Sequence, residues 1–187
     1  MVNYMEKQEV NFYTDGGCSG NPGPGGYGVV CLDGKDILYA ISYQEEFTTN
    51  NRMELKAILN VFKNFKDRED LKITLYSDSA YCVNMLNDWI WKWALNDWCN
   101  SKGKEVENID LVQEAYKLLK STTNIRIVHV KGHNGLVGNE LADALATNNM
   151  VKYKTLVKKN ALEEDYRFSY IEDPTWSFIQ SADDREA

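Results

Sequence analysis

The chain has 187 residues, 43% hydrophobic and 26% charged, with a formal net charge of −7. That length supports one core of ordinary size with a modest appendage. No apolar run approaches the roughly 18 residues of a membrane span, and the opening MVNYMEKQEVNFY lacks the apolar core of a secretory signal. A cytoplasmic protein is therefore expected, and Cys18, Cys31, Cys82 and Cys99, with no CxxC pair, are expected to be reduced thiols. The acidic balance disfavours a nucleic-acid binder, but it is unevenly spread. Residues 160–187 hold eight acids against Arg167 and Arg185, a balance of −6, which leaves residues 1–159 at −1.

Residues 8–15 alternate, with Val10, Phe12 and Thr14 on one face and Asn11, Tyr13 and Asp15 on the other, which predicts a strand ending at Asp15. The following GNPGPGG predicts a turn, because prolines lack a donor and glycines permit positive φ. A hairpin of strands 27–32 and 36–43 about Asp33-Gly34 comes next. Thr48 or Thr49 can cap a helix over 51–65, whose apolar residues Met53, Ala57, Ile58, Val61, Phe62 and Phe65 recur at helical spacing and whose first turns carry Glu54.

Residues 71–77 form a short apolar strand ending at Asp78, and a helix begins over 80–86. From 88 to 107 the pattern changes: Trp89, Trp91, Trp93 and Trp98 are interleaved with Lys92, Lys102 and Lys104. An amphipathic helix is predicted over 109–120 and a strand over 125–130, followed by a glycine-rich loop and a helix over 137–150. Beyond Val151 the core pattern stops. The expected organisation is a catalytic domain over 1–150 and an acidic, aromatic C-terminal extension over 151–187, to which no role is assigned. The order of elements gives an α/β fold, a mixed sheet with helices on its faces. In such sheets sites form beyond the carboxyl ends of strands, and Asp15 and Asp78 both end strands that could lie side by side.

Asp15, Glu54, Asp78 and Asp143 each stand where a strand or helix would aim a carboxylate among apolar neighbours. Taken singly, each has a plain structural reading: a turn former, a helix N-terminal charge, an N-cap, a solvated helix residue. Converging, they would repel one another, since buried anions need a partner or a cation. Divalent ions would neutralise them, and the chemistry would be metal-assisted hydrolysis.

The ordered words TDGGCSGNPGPGG, TTNNRMEL, SDSAY, a tryptophan-rich lysine-bearing segment, VKGHNG and NELAD resemble type 1 ribonuclease H over roughly residues 8 to 150. The resemblance implies a ribonuclease H-like fold, a five-stranded mixed sheet flanked by helices with a basic handle. It also implies endonucleolytic cutting of the RNA strand of RNA/DNA hybrids, leaving 5'-phosphate and 3'-hydroxyl ends. By the same resemblance Asp15 bridges two Mg2+ ions, for which Mn2+ can substitute, Asp143 helps hold the ion that activates water, and Glu54 and Asp78 hold the ion facing the leaving 3'-oxygen. His133, in a glycine-rich loop, would assist proton transfer or product departure.

For the substrate, the resemblance points to the turn at Gly16, Gly17 and Cys18 and to Asn50, Asn51 and Glu54 for RNA, and to Asn21 and Thr49 for backbone contacts, Thr49 at a DNA phosphate. In the handle it points to Trp89 against a deoxyribose, and Lys92, Lys102 and Lys104 could meet phosphates. The handle departs from more basic versions, since Asp97, Glu105 and Glu107 dilute its lysines. His129 and His133 are four apart, but VHV reads as strand, so His129 is expected to pack rather than join a metal site. A monomer is expected, with the hybrid as partner and neither a membrane nor a protein partner. With so few residues before the first strand, no N-terminal hybrid-binding module is expected. A catalytically dead polynucleotide-binding module and a DNA-directed nuclease are the competing readings.

Overall fold

A computed structural model describes residues 6–132 and 136–160. Its first three strands, β1 (Gln8–Cys18), β2 (Gly23–Asp33) and β3 (Asp36–Thr48), form an antiparallel meander. β4 (Leu71–Ser77) and β5 (Ile125–His129) then add in parallel on the other side of β1, giving the order β3-β2-β1-β4-β5. The sheet is five-stranded and mixed, as the element order predicts.

The helices are α1 (Asn50–Phe65), α2 (Ala80–Asn84), α3 (Ile90–Ala94), α4 (Ile109–Lys120), α5 (Val137–Ala146) and α6 (Met150–Asn160). A π-helical stretch, Met85–Trp89, joins α2 to α3. They divide between the two faces of the sheet. On one face Val10, Phe12, Val29 and Ile41 pack against Met53, Ile58, Phe62 and Phe65 of α1 and Val112 and Ala115 of α4. On the other, Val30, Leu32, Ile37 and Ala40 pack against Leu141, Ala144 and Leu145 of α5 and Tyr153 and Val157 of α6. Burying side chains of this size on both faces is the main favourable term holding the layers together.

Several details differ from the expectations. β1 runs three residues past Asp15, because Gly16, Gly17 and Cys18 pair with Tyr27, Gly26 and Gly25 of β2. The turn is therefore shorter than GNPGPGG suggests, and β2 already begins at Gly23. The last helix breaks at Thr147–Asn149, where Asn148 takes a positive φ of 52°. Past that break, the expected end of the core pattern at 151 is corrected by α6: Tyr153 and Val157 are buried, so the body continues beyond residue 150. His129 is exposed rather than packed, since it points out at the end of β5. All four cysteines are free thiols. Among the described residues no helix is long and apolar enough to cross a membrane. Residues 161–187 lie outside the described residues.

Candidate active site

β1 and β4 run in parallel and stay paired up to Thr14 and Ser77. One residue further on, β1 continues along β2 while β4 gives way to a turn, so the sheet opens between Asp15 and Asp78. The turn after β4 is fixed locally. Ser77 Oγ accepts from the Ser79 N–H (3.1 Å), and Ser79 Oγ accepts from the Cys82 N–H (3.2 Å), capping α2.

Glu54 comes from α1, which starts where Thr49 Oγ1 accepts from the Arg52 N–H (3.3 Å). The helix sits hard against β1. A Cβ on Gly16 would lie 2.4 Å from the backbone of Met53 and Glu54, so only glycine allows this approach. The Gly16 backbone lies close enough to the Glu54 carboxylate to favour its charged form. Gly28 plays the same part for α5, where a Cβ would lie 2.3 Å from the Ala142 carbonyl oxygen.

The result is a crowd of anions. Carboxylate oxygens of Asp15, Glu54 and Asp78 all lie within 4.8 Å of one another. Asp143, on α5, stands outside that trio but within hydrogen-bond reach of Asp15. It also accepts from Lys152 Nζ of α6 at 2.6 Å. Burial, then the charges of Asp78 and Asp143, push the Asp15 carboxyl up to about 8. Burial and the neighbouring Asp15 push Glu54 well above the usual carboxylate range.

These residues fit a divalent metal. Glu54 is buried, and among the described residues its Oε2 has no hydrogen-bond partner. An acceptor left so would cost free energy unless something electropositive met it. The donors are all carboxylate oxygens, the hard ligands that Mg2+ and Mn2+ take.

The substrate-side candidates fall into two groups. Asn21, Asn50 and Cys18 form one network at the mouth of the site. The Asn50 N–H donates to Asn21 Oδ1 (3.0 Å), the Cys18 N–H donates to Asn50 Oδ1 (2.8 Å), and the Cys18 thiol lies 3.4 Å from the same oxygen. This ties the turn after β1 to the first turn of α1, with Thr49 and Asn51 flanking it. A groove of about 660 Å³ runs here, lined by Asp15, Gly16, Gly17, Cys18, Asn50, Asp78 and Asp143 among others.

The handle lies apart from that groove. Trp89 is half-buried, edge-on to Tyr81 and beside Trp93 (ring centroids 5.6 and 6.1 Å). With Lys92, Trp93 and Asn100 it lines a second groove of about 420 Å³. Trp91 and Trp98 both pack edge-on to Tyr116 of α4. Lys102 and Lys104 are exposed, on a turn wound around Asn100 Oδ1, which accepts from both of their backbone N–H groups. Lys92 is exposed and pairs with Asp88 at 3.4 Å.

His133 lies outside the described residues; the loop leading to it passes Asp78, where a Cβ on Gly132 would be 3.0 Å from Asp78 Oδ2. The sequence alone points neither to Lys152 nor to the clamping role of Asn50. The first stands in a segment read as extension. The second needs the fold, because Cys18 and Asn50 are 32 residues apart.

The family model for RNase H matches residues 7–151. A ribonuclease H of Caldicellulosiruptor saccharolyticus is 47% identical over 146 residues, covering 78% of this chain and 97% of that protein. Among solved structures, LC9-RNase H1, a type 1 RNase H with the type 2 active-site motif, is similar with a TM-score of 0.65 at 27% identity, covering 86% of this chain and 83% of the other. LC11-RNase H1 in complex with an RNA/DNA hybrid is similar with a TM-score of 0.57 at 26% identity, over 74% and 94%. With its carboxylates gathered where β1 and β4 part and this degree of likeness along nearly the whole described body, the chain belongs to the ribonuclease H family.

Proposed function

We propose that this chain hydrolyses the RNA strand of RNA/DNA hybrids, leaving 5'-phosphate and 3'-hydroxyl ends, with Asp15, Glu54, Asp78 and Asp143 as the metal-holding residues. The observation that carries the reading is the close carboxylate trio around buried Glu54, whose Oε2 has no hydrogen-bond partner among the described residues, in a chain of the ribonuclease H family. The LC11 relative bound to a hybrid supports the substrate class.

Divalent ions in this site, Mg2+ with Mn2+ able to substitute, would supply a water nucleophile at neutral pH and stabilise the charge on the phosphate and the leaving oxygen. Asp15, Glu54 and Asp78 would hold one ion and Asp15 with Asp143 the other. The raised proton affinities of Asp15 and Glu54 are those of anions kept together for a cation. Water adds to phosphorus as the bond to the 3'-oxygen breaks, and that oxygen departs with a proton as the 3'-hydroxyl. His133 is the residue assigned to moving protons or releasing product.

Discrimination of RNA from DNA needs contact with the 2'-hydroxyl or with A-form shape. The Gly16–Cys18 backbone and the amide of Asn50, held by the Asn21 network, line the groove with donors and acceptors suited to a hydroxyl, and Asn51 is the further residue assigned to the RNA strand. Thr49, which caps α1 beside this network, is the residue assigned to a DNA phosphate. Trp89 offers an aromatic wall to a deoxyribose, and Lys92, Lys102 and Lys104 offer charge to phosphates. A cytoplasmic monomer working without a membrane or protein partner completes the reading.

The test is to incubate labelled hybrid, duplex DNA and duplex RNA with Mg2+, with the Asp15→Asn chain as control. Cutting confined to the RNA of the hybrid, and lost in the control, is expected. Cleavage of duplex DNA, or hybrid cutting that survives the substitution, overturns the reading.

A further inference from the structure

Among the described residues Asp15, Glu54 and Asp78 have no salt-bridge partner, and the one cation paired with any of the four acids is Lys152. We propose that Lys152 is a positioning residue: it holds Asp143 at the rim of the acid cluster and competes with a divalent cation for that carboxylate. The inference rests on the metal-holding role of the four acids.

The placement of Lys152 is built into the fold. Helix α5 ends at Ala146, and Asn148 turns the chain through its left-handed conformation. Asn149 then caps α6, its Oδ1 accepting from the Lys152 N–H (3.1 Å) and its carbonyl from the Tyr153 N–H (3.0 Å). The neighbouring Tyr153 and, a turn on, Val157 are fully buried against α5 and the sheet, which fixes the rotation of α6. That rotation turns Lys152 inward to Asp143, while Lys154, Lys158 and Lys159 are exposed.

The chemistry follows from what Asp143 can do with its two neighbours. It lies within hydrogen-bond reach of Asp15, so its charge adds to the repulsion in the cluster. The ammonium at 2.6 Å offsets that charge and occupies Oδ2, an oxygen a metal would otherwise take. The pair is partly solvated, with side-chain exposures of 40% for Lys152 and 28% for Asp143. Water can therefore take over the ammonium, and the bond is weak enough to exchange. Lys152 thus acts as a built-in counter-ion that weakens divalent binding on the Asp15–Asp143 side and is displaced as that side fills.

The test is Mn2+ titration by calorimetry on the unsubstituted chain and on Lys152→Gln, Lys152→Arg, Asp143→Asn and the Lys152→Gln/Asp143→Asn double variant, all without nucleic acid. Lys152→Gln is expected to tighten the weaker Mn2+ event about three- to ten-fold, and Lys152→Arg, which keeps the charge, to leave it within about two-fold. In the Asp143→Asn background Lys152→Gln should change nothing, because the competed oxygen is gone. Unchanged or weaker Mn2+ binding in Lys152→Gln, or the same gain with Asn at 143, overturns the inference while leaving the metal site itself intact. Absence of Mn2+ binding by the unsubstituted chain overturns the metal reading, and this inference with it.

Discussion

Where β1 and β4 part, three carboxylates sit within 4.8 Å of one another, and two of them have protonation pushed well above its ordinary range. In the handle, Lys102 and Lys104 stand in solvent on a turn that one asparagine side chain holds together. The first arrangement is imposed by the core, because Met53 and Leu55, on either side of Glu54, are buried and Gly16 lets α1 touch β1. The second imposes nothing on the core. Substitutions in the two regions should therefore have opposite signatures: in the cluster activity falls while stability rises, and in the handle affinity falls while stability stays put. A fold can store such electrostatic strain at a functional site because apolar burial elsewhere offsets it.

Asp15→Asn is the sharpest way to break that contrast. It should lower hybrid cleavage by about 10³-fold or more, as loss of a group central to the chemistry does. In metal-free buffer at pH 8 or above it should also raise Tm by roughly 4–8 °C, corresponding to about 2 kcal/mol at this chain length. The sign comes from linkage. A carboxyl at about 8 in the fold and near 4 when unfolded holds more protons in the native state between about pH 4 and pH 8, so its destabilising effect is fully developed above about pH 8. Metal-free stability should then decline as pH rises from about 4 to about 8, and the Asn variant should decline less. A variant no more stable than the unsubstituted chain at pH 8 would mean that the cluster stores no strain.

The handle gives the next effect. Lys102→Ala with Lys104→Ala removes two exposed charges without touching a packed side chain. The apparent Michaelis constant for hybrid at moderate salt should rise about three- to ten-fold and its salt dependence should flatten, since each phosphate contact contributes to the salt slope. Tm should stay within about 2 °C. An unchanged Michaelis constant would remove these lysines from the substrate path, leaving Trp89 and its groove to carry the handle's part.

How far the sequence reaches follows the same division. β4 and α4 fall on the expected residues because each carries an uninterrupted period, two for the strand and near 3.6 for the helix. Asp15, Glu54 and Asp78 could be placed because each stands at or near the end of such an element. The extension of β1 through Gly16 and Gly17 was not legible, since glycines are poor strand formers and only pairing with Gly25 and Gly26 makes them strand. Nor was α6. Met150, Tyr153 and Val157 do have helical spacing, but Lys152, Lys154, Lys158 and Lys159 dilute it, and burial on the second face of the sheet is a tertiary fact. The ion pair of Lys152 with Asp143 was hidden with it.

The smallest effect belongs to the seam between the two regions. Arg52, two residues before Glu54, makes a bidentate bond to Asp110 at the start of α4 (3.0 and 2.9 Å) and reaches Asn108 at 3.4 Å. It thus clasps the first turn of α1 to the chain returning from the handle. The guanidinium holds the Asp110 carboxyl down to about 2. Both side chains are substantially solvated, 29% and 62% exposed, so the pair contributes only about 0.5–1 kcal/mol after screening. Arg52→Ala should lower Tm by roughly 1–4 °C at pH 7. A depressed carboxyl gives stability that is present above its unfolded value and lost as pH falls through the folded one, so the deficit should shrink below about pH 4 and also in high salt. A deficit that persists at pH 3 and in molar salt would mean that Arg52 acts through its packed stem, and that the two regions are joined by contact rather than by charge.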